Sequence, residues 1–221
     1  LEPNVPFALT DPKEQAAVDA LQGEERTKAL NEARQKQWRN KCVSDTYYPV
    51  SVFKMVTSSM GFEEGIISEN TPFSCPGYYV VANRCISCWK SGGHESETFA
   101  QRLCNSYNPV FIQVGEKLGA QTFFEYFEAF GFTQKTGIDL PGESRSIYYD
   151  ATMGPVELAT ESFGQNFSIT PIQMITAAAA VANGGYLVQP HVVAQVIDDE
   201  GNIIRTTDTT VKRQVISNET S

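Results

Sequence analysis

Apolar positions are sparse at the start of the chain and dense after Trp38. Between Asp11 and Lys36 the residues are mostly Glu, Gln, Lys, Arg and Ala, and Val18, Leu21, Leu30 and Ala33 make only a thin apolar stripe. That pattern predicts a solvated helix, or a helix pair interrupted near Gly23. Residues 1–37 are therefore expected to be a charged helical extension, and residues 38–221 the main domain. Just inside the dense region, Ser51 and Lys54 precede Met55, Val56 and Met60 at helical spacing. A buried helix is expected there, its first turn carrying a hydroxyl and an amine on one face.

Further along, Cys75 to Val81 and Arg84 to Trp89 flank Ala82-Asn83 and predict a β-hairpin with a tight turn. In that register Val80 faces Cys85 and Gly77 faces Cys88, which sets Cys75 diagonal to Cys88 on one face and turns Cys85 the other way. After the loop Lys90 to His94, Thr98 caps a short helix through Cys104. Asn108 and Pro109 read as the cap and first residue of a helix ending at Gly119, and an aromatic helix follows from Thr122 to Phe130. A helix near Val156 to Ser162 and an alanine-rich one from Pro171 to Asn183 come next. The tail alternates through Val192, Ala194 and Val196, turns at Glu200-Gly201-Asn202, and resumes at Ile203 and again at Val211 to Ile216, which predicts antiparallel strands.

Composition narrows the partners. With 26 acidic against 17 basic residues the formal charge is −9, and no basic run exists, so neither nucleic acid nor an anionic membrane surface is favoured. An apolar content of 41% in 221 residues is enough for a globular core. No stretch of some 18 apolar residues is present, and the chain opens on Leu1, so a piece of a longer protein is expected, with any anchor outside it. Five cysteines are an odd number and too few for a disulfide scaffold.

The chemistry lies in Ser51-x-x-Lys54 and in Ser106-x-Asn108. A serine hydroxyl attacks a carbonyl usefully only when a neighbour takes its proton, and a lysine can do so if burial lowers its pKa. Ser51 is then the nucleophile and Lys54 the base. Ser106 can relay a proton to a leaving amine, and Asn108 can hold a substrate amide.

The order S-x-x-K followed by S-x-N resembles penicillin-binding proteins and class A β-lactamases, whose third element is a K-T-G strand. Trp38-Arg39-Asn40, Val43 to Tyr47, Phe130-Gly131-Phe132, Lys135 to Glu143, Ser162-Phe163-Gly164-Gln165 and Ala182 to Gly185 look like the transpeptidase domain of class B penicillin-binding proteins. The segment Cys75 to Lys90 with Gly92-Gly93-His94 is similar to the branch from spore-forming Gram-positive bacteria that includes the spore-cortex enzyme. The resemblance implies an α+β, serine β-lactamase-like fold, with an antiparallel sheet packed between helices and a helical subdomain bearing the nucleophile. It implies a membrane-anchored D,D-transpeptidase on the extracytoplasmic face that crosslinks peptidoglycan stem peptides, is acylated by β-lactams and works beside a membrane glycan polymerase.

Three departures from the family pattern stand out. Val50 replaces the glycine usual before the nucleophile, and Tyr107 fills a middle position often small or cysteine in this branch. Lys135-Thr136-Gly137 lies ahead of the family's K-T-G position and is read as a decoy; the true third motif would follow Ser221, leaving the domain incomplete at its C-terminus. These departures keep a second reading open: a catalytically silent module serving as a structural or partner-binding unit.

Cys75, Cys88 and His94 suit a structural zinc ion, which needs a fourth ligand. Asp45 is the first choice because the family sets that segment beside the nucleophile, and Cys85 is the second. A Cys75–Cys88 disulfide and free thiols are the alternatives, and Cys104 could pair with Cys42 or Cys88. His191, next to Pro190, reads as ordinary surface.

Overall fold

A computed structural model describes residues 8–88 and 92–221, without the side chains of residues 74, 75 and 94–96. Trp89, Lys90 and Ser91, at the end of the expected hairpin, lie outside the described residues.

The polar N-terminal stretch folds as two helices, α1 (Pro12–Asp19) and α2 (Gly23–Trp38), with the break at Gly23, whose φ is 58°. Asp11 caps α1 by accepting from the Lys13 amide. Leu9, Val18 and Ala33 close a small cluster separate from the main core, as the thin stripe requires.

After the single turn α3 (Lys41–Ser44), a 3-10 turn at Val50–Phe53 runs into α4 (Lys54–Glu63). Val56 and Met60 are fully buried and Phe53 is buried with them. The Phe53 ring centroid lies 4.8 Å from Phe167, 5.4 Å from Phe132 and 6.2 Å from both Phe123 and Phe127. The aromatic helix is therefore core, and it clamps the residue between the serine and the lysine.

Strands β1 (Pro72–Cys75) and β4 (His94–Thr98) pair antiparallel, and β2 (Tyr78–Val81) and β3 (Arg84–Ser87) form the expected hairpin. Ala82 and Asn83 both take positive φ, 44° and 65°, as a two-residue turn of this hand demands. Val80 pairs with Cys85, and the Cys88 amide donates to the Gly77 carbonyl at 2.8 Å. One feature differs: Cys75 belongs to β1 and faces His94, not the hairpin. Pro76 and Gly77, the latter at φ 100°, end β1 and turn the chain before β2 begins.

Thr98 caps α5 (Phe99–Cys104) through a reciprocal capping box with Gln101. The next helix, α6 (Asn108–Ala129), is kinked at Gly119, where φ 76° and ψ 159° leave the helical region. Its cap is Tyr107 rather than Asn108, because the Asn108 side chain is used elsewhere, as described below. The helices α7 (Pro155–Glu161) and α8 (Pro171–Ala182) follow, α8 with a Thr170–Gln173 capping box. Buried Met174, Ala177 and Ala180 let α8 pack closely against α4.

The tail forms β5 (Tyr186–Val188), β6 (Gln195–Ile197), β7 (Ile203–Thr206) and β8 (Val211–Gln214). β5 pairs with β8 and packs on α8, while β6 and β7 form an exposed hairpin. The fold is α+β, with its described strands paired antiparallel two by two.

Candidate active site

The segment carrying the nucleophile is fixed at both ends. Upstream, the Tyr47 amide donates to the Ile169 carbonyl at 2.9 Å and the Val50 amide to the Gly164 carbonyl at 2.8 Å. Downstream, Phe53 sits in its ring cluster and the Ser58 hydroxyl donates to the Lys54 carbonyl at 2.7 Å. Gly164, at φ 85°, lies so close that a Cβ there would drive into the Val50 carbonyl. Val50 itself adopts φ 50°, a conformation a β-branched residue rarely takes. The position where the sequence departs from the family's glycine is thus a left-handed one.

Four side chains distant in sequence meet at this point. Lys54 Nζ donates to Ser51 Oγ at 3.2 Å, to the Ser106 carbonyl and hydroxyl oxygens at 2.9 Å each, and to Asn108 Oδ1 at 2.7 Å. The Ser106 hydroxyl donates to Ser51 Oγ at 3.0 Å. Lys54 is 1% exposed, whereas Ser51 is open to solvent and Ser106 and Asn108 are half-buried. The hydroxyl faces solvent and the amine is buried beside it. Nζ also sits 5.2 Å from the centre of the Phe111 ring.

Burial pulls the Lys54 pKa down to about 8, with nearby Cys88 opposing that shift. At pH 7 about one lysine in ten is then neutral, against fewer than one in a thousand for a solvated lysine. A neutral amine within hydrogen-bond reach of a solvent-facing hydroxyl is a base poised to take its proton. Ser106 touches both, so it can carry a proton between the lysine and a group bound at Ser51. No pocket or charge pattern in the sequence marks two further residues that shape the site: Phe53, which anchors the turn, and Arg102, a wholly buried cation before the Ser106 turn. Apolar spacing could have found the first; nothing in the sequence separates the second from a surface arginine.

Lys135-Thr136-Gly137 has another use. The Thr136 amide and hydroxyl donate to Glu143 Oε1 at 2.6 and 2.7 Å, and the Gly137 amide to Glu143 Oε2 at 3.1 Å. The Thr136 carbonyl accepts from Lys212 Nζ at 2.6 Å. Its backbone is consumed in holding its own loop to the Leu140-to-Glu143 segment and the tail strand.

Of the four residues considered for a metal, Cys75 and His94 face one another across β1 and β4, but their side chains lie outside the described residues. Cys88 is buried in the main core. The Asp45 carboxylate forms an ion pair with Arg39, six residues earlier, at the end of α3. Among the described residues no group of three or more His, Cys, Asp or Glu could hold a metal ion. Cys42, Cys85 and Cys104 carry free, exposed thiols, so the Cys104–Cys42 disulfide is not formed. His191 is exposed.

Comparison with known proteins gives the chain's family. Residues 7–221 match the model of the penicillin binding protein transpeptidase domain. The chain is 41% identical over 186 residues to stage V sporulation protein D of Bacillus subtilis, an alignment covering 83% of this chain and 29% of that protein. It superposes on the D,D-transpeptidase domain of a peptidoglycan glycosyltransferase from Eggerthella lenta with a TM-score of 0.77 at 27% identity, covering 88% of this chain and 51% of that one. It also superposes on penicillin binding protein 3 from Mycobacterium tuberculosis complexed with aztreonam, with a TM-score of 0.77 at 25% identity, covering 86% of this chain and 43% of that one. The chain thus spans less than a third of that curated relative's length and about half or less of these solved ones. By its match through residues 7–221, the chain belongs to the penicillin-binding protein transpeptidase domain family.

Proposed function

We propose that the protein carrying this chain is a peptidoglycan D,D-transpeptidase, acylated at Ser51 both by stem peptides ending in D-Ala-D-Ala and by β-lactams. The observation that carries this reading is the contact of Lys54 Nζ with Ser51, Ser106 and Asn108 at 2.7–3.2 Å, next to a solvent-exposed Ser51 hydroxyl. Neutral Lys54 takes the Ser51 proton as Oγ bonds to the peptide carbonyl. The Ser106 hydroxyl gives its proton to the departing D-alanine nitrogen and is recharged by the Lys54 ammonium. The acyl-serine then forms with the amine released, and an amine of a second stem peptide restores the serine by the reverse transfers. Asn108 holds Lys54 in place and is in position to meet the substrate amide.

The test is release of D-alanine from a pentapeptide ending in D-Ala-D-Ala by the full-length protein, compared with Ser51→Ala. Release by the wild type and none by the variant is expected. A folded wild type that releases none favours the second reading, a catalytically silent module, for which the left-handed Val50 is the specific support.

The likeness to a stage V sporulation protein supports a role in spore formation. No helix among the described residues is long and apolar enough to cross a membrane. We place the site on the extracytoplasmic side of an anchored parent working beside a membrane glycan polymerase. Labelling of intact cells by a membrane-impermeant β-lactam tests that placement. A structural zinc ion is supported by the facing of Cys75 and His94, with Cys88 as third ligand and Asp45, which pairs with Arg39 here, as fourth. About one equivalent of zinc in purified protein, lost in Cys88→Ser, is the result expected; no metal and a mass two daltons low replaces the ion with a disulfide.

A further inference from the structure

The turn that delivers Ser106 and Asn108 is itself under strain. Ser106 takes φ 56°, a region that costs a non-glycine residue on the order of 1 kcal/mol and persists only where the surroundings over-determine it. What surrounds it is Arg102. This side chain is 0% exposed and the largest among the fully buried ones. Its Nη2 donates to the Phe73 carbonyl in β1 at 3.0 Å, its Nε lies 3.4 Å from Glu97 Oε2 in β4, and its guanidinium carbon sits 4.9 Å from the centre of the Tyr107 ring. Tyr107, 3% exposed, is the residue between Ser106 and Asn108.

The backbone closes the same unit. The Tyr107 amide donates to the Arg102 carbonyl at 3.2 Å and the Ser106 amide to the Leu103 carbonyl at 3.0 Å. Asn105 Nδ2 donates to the same Glu97 oxygen at 3.4 Å. A buried cation is costly unless its face and edge are both occupied. Here β1 and β4 occupy the edge and Tyr107 the face, as a planar guanidinium allows and a lysine ammonium does not. A small side chain at 107 would leave that face uncovered.

We propose that Arg102 and Tyr107 are a positioning pair: their buried stack fixes the turn at residues 105–107, and thereby holds Ser106 Oγ and Asn108 Oδ1 against Lys54. Neither touches the reacting atoms. The effect on rate rests on the transpeptidase reading; the effect on the turn does not.

Full-length wild type is compared with Tyr107→Phe, Tyr107→Leu and Arg102→Met by two measurements, at a temperature where circular dichroism shows each variant folded. One is amide hydrogen exchange at residues 105–108, with α4 as the internal control. The other is the second-order rate of acylation by a β-lactam. Loss of the ring in Tyr107→Leu is expected to speed exchange in the turn about tenfold while α4 keeps its protection, and to slow acylation about ten- to a hundredfold. Tyr107→Phe, which keeps the ring over the guanidinium, restores both. Arg102→Met is expected to follow Tyr107→Leu, which alone carries the test if the arginine variant does not fold. Unchanged exchange in the turn, or equal loosening of α4 with acylation unaltered, overturns the pair. A wild type that is never acylated defeats the transpeptidase reading instead, and the exchange data alone then decide.

Discussion

At Val50 a β-branched side chain holds a left-handed conformation one residue before the nucleophile, with its amide and carbonyl pressed on Gly164. That conformation costs roughly 1–2 kcal/mol for an L-residue, and glycine would return about 0.5–1 kcal/mol of it as extra chain entropy in the unfolded state. Val50→Gly should therefore raise stability by up to about 1 kcal/mol in urea melts, and a lower stability would show that Val50 is not strained. Gly164→Ala should do the opposite. The obstruction is backbone, no rotamer relieves it, and a loss of about 3 kcal/mol or more is expected. The sequence announced Val50 by its departure from glycine, but gave no sign of the opposing Gly164 carbonyl, 114 positions away in the chain.

Glu161 gives a residue-scale prediction in pH. Its side chain is 1% exposed, and burial, aided by Glu157 and opposed by the Tyr149 amide, pushes its carboxyl up to about 8. The folded protein keeps a proton that the unfolded chain releases near its ordinary value of 4.5. The stabilising effect is complete below that value and is lost as pH rises toward 8. Thermal or urea melts should show wild type losing on the order of 4 kcal/mol between pH 4.5 and 8, and Glu161→Gln should lack that loss. Equal slopes for the two proteins would remove Glu161 as the cause. No periodicity distinguishes this glutamate from the exposed ones of the same chain, just as none distinguishes Arg102. Burial of a charge is decided by which elements pack over it.

Among the elements, the 3-10 turn entering α4 carries the site. Its lysine is held beside the Ser51 hydroxyl by acceptors on the α5–α6 turn, and a base with a pKa near 8 would set the pH dependence of acylation. The rate should climb with pH below about 8 and level off above it, while Lys54→Met abolishes it. A flat profile across that range would exclude Lys54 as the base. Phe53→Ala, which empties the centre of the aromatic cluster, should cost about 3–5 kcal/mol.

Helix ends and the β2–β3 hairpin were legible because their signals are local: Thr98, Thr170, Pro109, Pro171 and the pair Ala82-Asn83. Strand partners were not, since β1 meets β4 and β5 meets β8 across long separations, and β5 is only three residues long. The misreading of Cys75 has the same origin: two residues, Pro76 and Gly77, move it from one ladder to another. The pairing of Asp45 with Arg39 was equally hidden, because a sequence does not say which of several nearby charges a carboxylate meets.

Across the whole molecule, the N-terminal helices close a cluster of their own through Leu9, Val18 and Ala33, while the main core runs continuously from Phe53 to Ile216. Removing residues 1–37 should leave the melting temperature within about 3 °C of the intact chain; a much larger drop would make those helices part of the domain. The net charge of −9 disfavours association with polyanions. The site draws on three regions, the 3-10 turn, the α5–α6 turn and the Gly164 loop, so its existence depends on the main core as a unit.

The most direct measurement is peptide mapping by mass spectrometry after the full-length protein meets a fluorescent penicillin. A covalent penicilloyl adduct on the peptide containing Ser51, absent from Ser51→Ala, is the predicted result. A folded protein that takes no label, or takes it at another residue, contradicts the account.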